Sequence, residues 1–291
     1  ANKNYAYVKV DIMRLIIANL LTIFLFIPHA SEAFRVGGLK TPESFIVDPA
    51  IGNYFISNIN GNPVSRDNNG CIVKLDPSGK RLLFIRGGDP QVTLHAPDGL
   101  ALKGNILYVT DIDSLRWFDK NNGKPLGHID FTGMGAKRLK GLAFDGEDNL
   151  FISDVLANAI YKVETGNAHK ISVFKKDNRL GNPGGMVYDS ARKRLIGVAR
   201  ATGRIWGIRL DGKIAPVIQK TFKNLNGIDW DRQGNLLVSD RTEGKIYRIH
   251  NFSRIEVVRE NILTPANISF DYARNLILVP SSKGNLAFTI P

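Results

Sequence analysis

The sequence predicts an all-β fold: a six-bladed β-propeller with four antiparallel strands to a blade, its last blade closed by the mature N-terminal strand. Three observations predict it. A phrase recurs along the chain, as "PDGLALKGNILYVTD" from Pro97, "LKGLAFDGEDNLFISD" from Leu139 and "LNGIDWDRQGNLLVSD" from Leu225. Aligned on the residue before the first Gly, or its equivalent, it starts at Glu43, Asp98, Lys140, Gly184, Asn226 and Ala266, at spacings of 55, 42, 44, 42 and 40 residues. Periods near 40–45 with several short strands per unit mark a propeller, and the i, i+3, i+4 apolar pattern of helical repeats is missing.

Each unit resolves into four strands, a to d. In the first, "SFIVD" is strand a, "YFISNI" strand b, "CIVKLD" strand c and "RLLFIR" strand d. Alternation and β-branched or aromatic residues mark the strands, and Asp, Gly and Asn mark the turns. The a–b turn recurs as "DGEDN", "DSARKR", "DRQGN" and "DYARN", and the c–d turn as "KNNGK", "ETGN" and "LDGK". A blade of this kind buries its faces only against its neighbours. The last unit ends after its third strand, in "KGNLAFTIP", and "AFRVGG" supplies the outer strand that would otherwise be missing.

The N-terminus reads differently. Arg14 precedes an apolar run from Leu15 to Ile27, and Ser31 and Ala33 stand at the spacing a signal peptidase reads. Cleavage is expected after Ala33, with an uncleaved anchor as the alternative; the run is too short for a comfortable span, and cleavage leaves residues 34–291 as the propeller domain with no transmembrane segment. Residues before Met13 read as an over-extended frame. The protein is therefore expected to be exported, periplasmic or secreted.

Hydrophobic residues make up 43% of the 291, enough for a packed core and too many for wholesale disorder. The formal charge is +12, and +11 once residues 1–33 are removed, which favours anionic partners. The basic residues are spread without the runs or aromatic interleaving of a nucleic-acid binder. Cys71, the single cysteine, excludes an internal disulfide and reads as a small buried hydrophobe in strand c.

The d–a and b–c loops of a propeller emerge on one face, so the six strand-a starts converge there around the axis. A pocket at that mouth is the default site. Asp98 and Lys140 are the candidate catalytic residues, with His95, three positions before Asp98, as a candidate general base. Asn267 stands just behind Ala266 as a ligand contact. The loop from Asn58 to Gly70 overhangs the same face and carries Asn60, Arg66 and Asp67 as lid contacts. Strand b ends at Asn58, Asp111, Asp154 and Asp240 in four blades; a repeated structural hydrogen bond explains this better than a carboxylate cluster, though Asn58 also stands as a ligand candidate. Arg200 and Arg241 sit on the rim, able to hold an acidic ligand in a fork geometry. The glycines and basic residues of "TGMGAKRLK", residues 132–140, could meet an anion but form no specific motif. Zincin, nucleophile-elbow and phosphate-loop motifs are all missing.

With the blade starts in view, "PESFIVDPAIGNYFISNI", "LNGIDWDRQGNLLVSD" and "PDGLALKGNILYVTD" resemble the blades of the senescence-marker-protein/gluconolactonase/luciferin-regenerating-enzyme family of six-bladed propellers. The likeness covers most of residues 35–290. It implies one divalent metal, calcium or zinc, on the axis. Glu43 matches the family's blade 1 Glu and Asn226 its blade 5 Asp, whereas the blade 4 Asn falls on Gly184 and the blade 3 Asn-Asp pair on Leu139 and Lys140. A calcium ion wants about six to eight oxygens. An ammonium at Lys140 would repel a dication, or replace it by pairing with Glu43 and Asp98. Two functions stand foremost, beside a minor third, a strictosidine-synthase-like condensation that would need a Glu in a hydrophobic pocket. One is a metal-dependent lactone or ester hydrolase; the other is a binding propeller for a small anionic or lactone-type ligand, an acidic protein or an envelope component.

Overall fold

Runs of five or six residues rich in aliphatic, β-branched and aromatic side chains, broken by Asp, Asn and Gly turns, make each repeat one antiparallel sheet. The computed structural model describes residues 33–291. The predicted leader, apart from Ala33, lies outside them. Six four-stranded sheets follow one another around a ring, the first five each running from the axis outward in chain order. Blade 1 is Pro42–Val47, Tyr54–Asn58, Cys71–Leu75 and Arg81–Arg86; blade 5 is Leu225–Trp230, Leu236–Asp240, Lys245–His250 and Arg254–Arg259. In the sixth sheet Ser269–Asp271, Leu276–Ser281 and Leu286–Ile290 are joined by Arg35–Val36, which pairs antiparallel with Phe288 and Ala287. Among the described residues the only helices are two single 3-10 turns, and no helix is long and apolar enough to cross a membrane.

Because no blade can cover its own faces, the core is divided into inter-blade layers. Phe45, Tyr54 and Ile56 of blade 1 pack on Leu276 and Leu278 of blade 6. Ile196 and Val198 of blade 4 pack on Leu236 and Val238 of blade 5 in the same way. Side chains in these layers are almost wholly removed from water, and at about 25 cal/mol per Å² of apolar area they hold the ring together. Cys71 departs from expectation: it is half-buried rather than fully enclosed, and that burial raises its thiol pKa.

Around the axis the inner strands are laced by hydroxyls. Ser57, Thr110, Ser153 and Ser239 each accept the N–H of their own inner strand, from Ser44, Gly99, Gly141 and Gly227. Each then donates to a carbonyl of the next blade, at Asp98, Lys140, Gly184 and Ala266. The two breaks are Val198 in blade 4 and Pro280 in blade 6, neither of which carries a hydroxyl. Such lacing needs close backbone approach, and this explains the Gly of the repeated phrase. A Cβ on Gly99 would lie 1.9 Å from the carbonyl oxygen of Lys140, and one on Gly227 would lie 2.4 Å from the amide of Ile268. Gly99→Ala is therefore expected to cost about 3 kcal/mol, at the upper end for overpacking because backbone must move. Urea unfolding measures it, and a cost under about 0.5 kcal/mol would show that the inner strands yield freely.

Candidate functional site

The first residues of the inner strands meet on the axis, and two carboxylates there enclose one ammonium. Lys140 Nζ lies 3.0 Å from Glu43 Oε2 and 2.7 Å from Asp98 Oδ1, although these residues come from three different blades. Lys140 is 1% exposed and each carboxylate 2%. Asp98 Oδ2 accepts from Arg138 Nη2 at 3.0 Å. Glu43 Oε1 accepts from Ser282 Oγ at 3.0 Å and from Arg241 Nη1 at 3.3 Å. Burial pushes the Glu43 carboxyl up, but Lys140, Arg241 and Arg138 outweigh it and hold it well below the usual carboxylate range.

Around this triad the charge is unbalanced. Lys140, Arg138, Arg241 and Arg200 face only Glu43 and Asp98. Arg200 is the one left over: it makes no ion pair among the described residues, and its buried Nε has no hydrogen-bond partner. Burial and the nearby Arg138 lower its pKa, partly offset by Glu43. Asn226 stands at the register position of Glu43, Asp98 and Lys140 and is fully buried. Neither its amide nitrogen nor its oxygen finds a partner. Unsatisfied buried polar groups are rare and costly, about 1–3 kcal/mol each.

One register explains the asymmetry of the mouth. The residue following strand b is Ile59, Ile112 and Val155 in blades 1–3, all buried and apolar. In blades 4–6 it is Arg200, Arg241 and Ser282. Half of the mouth is thus plugged and half is lined with donors. The rim arginines of the sequence reading turn inward rather than into solvent. Ser282 and Arg138 are site residues that the sequence motifs do not mark, yet the repeat register points to the first and the position two residues before the mouth residue Lys140 to the second.

The other candidates lie elsewhere. His95 Nδ1 accepts the N–H of Asn68 at 3.0 Å, holding the long blade 1 loop. That loop is also pinned by Arg66, which is paired with Asp113, and by Asn60, which donates to the carbonyl of Asn69. Asn58 is 1% exposed, its oxygen accepting from Lys40 N and its nitrogen donating to Ile56 O. Asp111, Asp154 and Asp240 each accept two or more N–H groups from the loop that enters their own blade. Asn267 borders a cavity below the mouth, its backbone N–H bonded to Glu43 O.

A divalent metal does not fit this donor set. All four oxygens of Glu43 and Asp98 accept from ammonium, guanidinium or hydroxyl donors, and the Lys140 ammonium stands between the two carboxylates. A dication there would meet a fixed positive charge at short range in a poorly solvated site. Gly184 adds no ligand. Among the described residues no group of three or more His, Cys, Asp or Glu is disposed to hold a metal.

No protein-family model matches the chain, and no curated protein matches it. Solved structures do. A Bacteroides thetaiotaomicron protein of unknown function is 12% identical with a TM-score of 0.69, over 89% of this chain and 72% of that one. Virginiamycin B lyase from Staphylococcus aureus is 15% identical with a TM-score of 0.64, over 89% and 98%. A chain of the nidogen/laminin complex is 17% identical with a TM-score of 0.59, over 80% and 90%. The likeness is one of fold. It confirms the six-bladed ring and leaves the chemistry to the residues of this chain.

Proposed function

We propose that this chain is a binding propeller which takes a small anion into its axial mouth, on the side of blades 4–6. The observation that supports this reading is a pair of residues flanking Gly184: Arg200, whose buried Nε has no hydrogen-bond partner, and Asn226, whose amide donor and acceptor are both unused. A carboxylate or phosphate would pair with the guanidinium in a charge-assisted bond. A hydroxyl or amide on the same ligand would use Asn226. The resemblance to the gluconolactonase family would add a lactone hydrolase. That chemistry needs an electrophilic ion on the axis, and here an ammonium tied to both carboxylates stands in its place. Export of the protein remains part of the proposal and rests on the leader-like residues 14–33 alone.

The test is calorimetric titration with inorganic phosphate and with succinate. Arg200→Gln is expected to weaken the tighter of the two by about tenfold or more, the worth of one charge-assisted hydrogen bond. The same change should leave the melting temperature unmoved or raise it, because the cation it removes is half-buried and makes no ion pair. Equal affinity in the two proteins, or no binding of either anion, would refute the reading.

A further inference from the structure

The opposite end of the axis is built differently. The inner strands run from the mouth residues to the a–b turns, so their second halves line the lower opening about 10 Å along the strand. A cavity of about 420 Å³ lies there, bordered by inner-strand residues of all six blades, among them Ile46, Leu100, Leu142, Val187 and Ile228. Ile46, Asp229 and Ser269 also border a neighbouring cavity of about 630 Å³ whose walls are mainly apolar. In a protein of charge +12, the described lining of the axial cavity contains Asp229 and Asp145 and no Lys, Arg or His.

Asp229 breaks the repeat. Its equivalents in the other blades are Ile46, Ala101, Ala143, Val187 and Ser269, none of them ionisable. Its oxygens accept one backbone N–H each, from Trp230 and Phe270 at 2.8 Å, and no cation lies within ion-pair distance among the described residues. It keeps some exposure, toward the cavity, although protein atoms crowd it on the other sides. Burial pushes its pKa up to about 7, with the two backbone N–H groups opposing that rise. Asp145, the second carboxylate, is different: it accepts from Glu147 N, Asn149 N and the Asn149 amide, which is ordinary turn chemistry. The neighbouring cavity also meets Arg274, which is paired with Asp271 at 3.2 Å.

A largely enclosed carboxyl without a cation costs free energy that a sheet position does not require. Such a group in a cavity is a candidate functional group. The missing partner is a positive charge, and the mainly apolar walls of the neighbouring cavity suit one carried on an apolar body rather than a hydrated ion. Phe144, Tyr188 and Trp230 border the axial cavity and offer aromatic surface to such a cation. We infer that the lower end of the axis is a second binding site, for an apolar amine whose ammonium pairs with Asp229 while its hydrocarbon part enters the mainly apolar neighbouring cavity. This site is independent of the anion site at the mouth.

Three probes of one shape separate the possibilities: phenethylammonium, 2-phenylethanol and 3-phenylpropionate. Calorimetric titration is expected to show phenethylammonium binding about tenfold more tightly than the alcohol, with the carboxylate weakest. Asp229→Asn, which keeps the shape and an acceptor oxygen, should abolish that preference while leaving the alcohol unaffected. Equal affinity for amine and alcohol, no binding of either, or a preference that survives in the variant would each overturn the inference. Should the variant fail to fold, the 13C-carboxyl resonance of Asp229 in the unaltered protein gives the same answer: it must move with phenethylammonium and stay in place with the alcohol.

Discussion

Replacing Lys140 by Met is expected to destabilise the protein by about 3–5 kcal/mol at neutral pH, the usual cost of removing one partner from a buried ion pair. Two carboxylates that are each 2% exposed would lose the ammonium at 3.0 and 2.7 Å that separates their charges. Arg138 and Arg241 would remain, so the loss should fall short of complete unfolding. The cost should also depend on pH, with a sign that follows from Glu43. Its carboxyl is lowered in the folded protein, so the stability it contributes is fully present above its ordinary value of 4.5 and is lost as pH falls toward the folded value. Once Glu43 takes up a proton it no longer needs the ammonium. The difference between the two proteins must therefore shrink below about pH 4.5. Urea midpoints at pH 7 and pH 4 check this, and a cost that is equal at both would mean the pairing is not made. Calcium or zinc should leave the wild-type midpoint in place; a metal-dependent rise would show the ammonium leaving the axis.

Asp154→Ala is expected to cost about 4 kcal/mol, because four backbone N–H groups lose their acceptor together. Asp154 is fully buried and accepts from Lys137, Arg138, Leu156 and Ala157 at 2.7, 3.1, 3.0 and 2.8 Å. Its carboxylate therefore ties the loop entering blade 3 to the turn leaving strand b. Arg138 sits on that loop and donates to Asp98, so the change should weaken anion binding at the mouth as well as stability. Asp154→Asn retains one acceptor oxygen and is expected to lose about half as much. Hydrogen exchange of the Arg138 and Ala157 amides reads the local part. Protection that survives in Asp154→Ala would mean the clamp is not what orders the loop.

The repeat carries its own explanation within about 45 residues. Alternation, turn residues and the Gly after each mouth position all act over that distance, and so the blade count and the six axial positions are legible in the chain. The role of the strand-b aspartates is legible for the same reason: Asp154 and the Arg138 amide it holds are 16 residues apart. The long blade 1 loop shows itself through the 55-residue spacing, though its anchors, His95 to Asn68 and Arg66 to Asp113, do not.

What the chain by itself determined, then, is the ring and the cast of residues at its centre: Glu43, Asp98, Lys140 and Asn226. Which of them touch was decided only by closure of the ring. Lys140 reaches Glu43 across 97 residues of sequence and Asp98 across 42, while Ser282 reaches Glu43 across 239. No local pattern encodes such distances. Closure also turned Arg200 and Arg241 inward, placed Asn267 below the mouth, and set Asp229 at the wall of the axial cavity although "GIDW" reads as ordinary strand. The physical reason is that strand formation responds to neighbours along the chain, whereas charge pairing and burial respond to neighbours in space, and here those neighbours come from different blades.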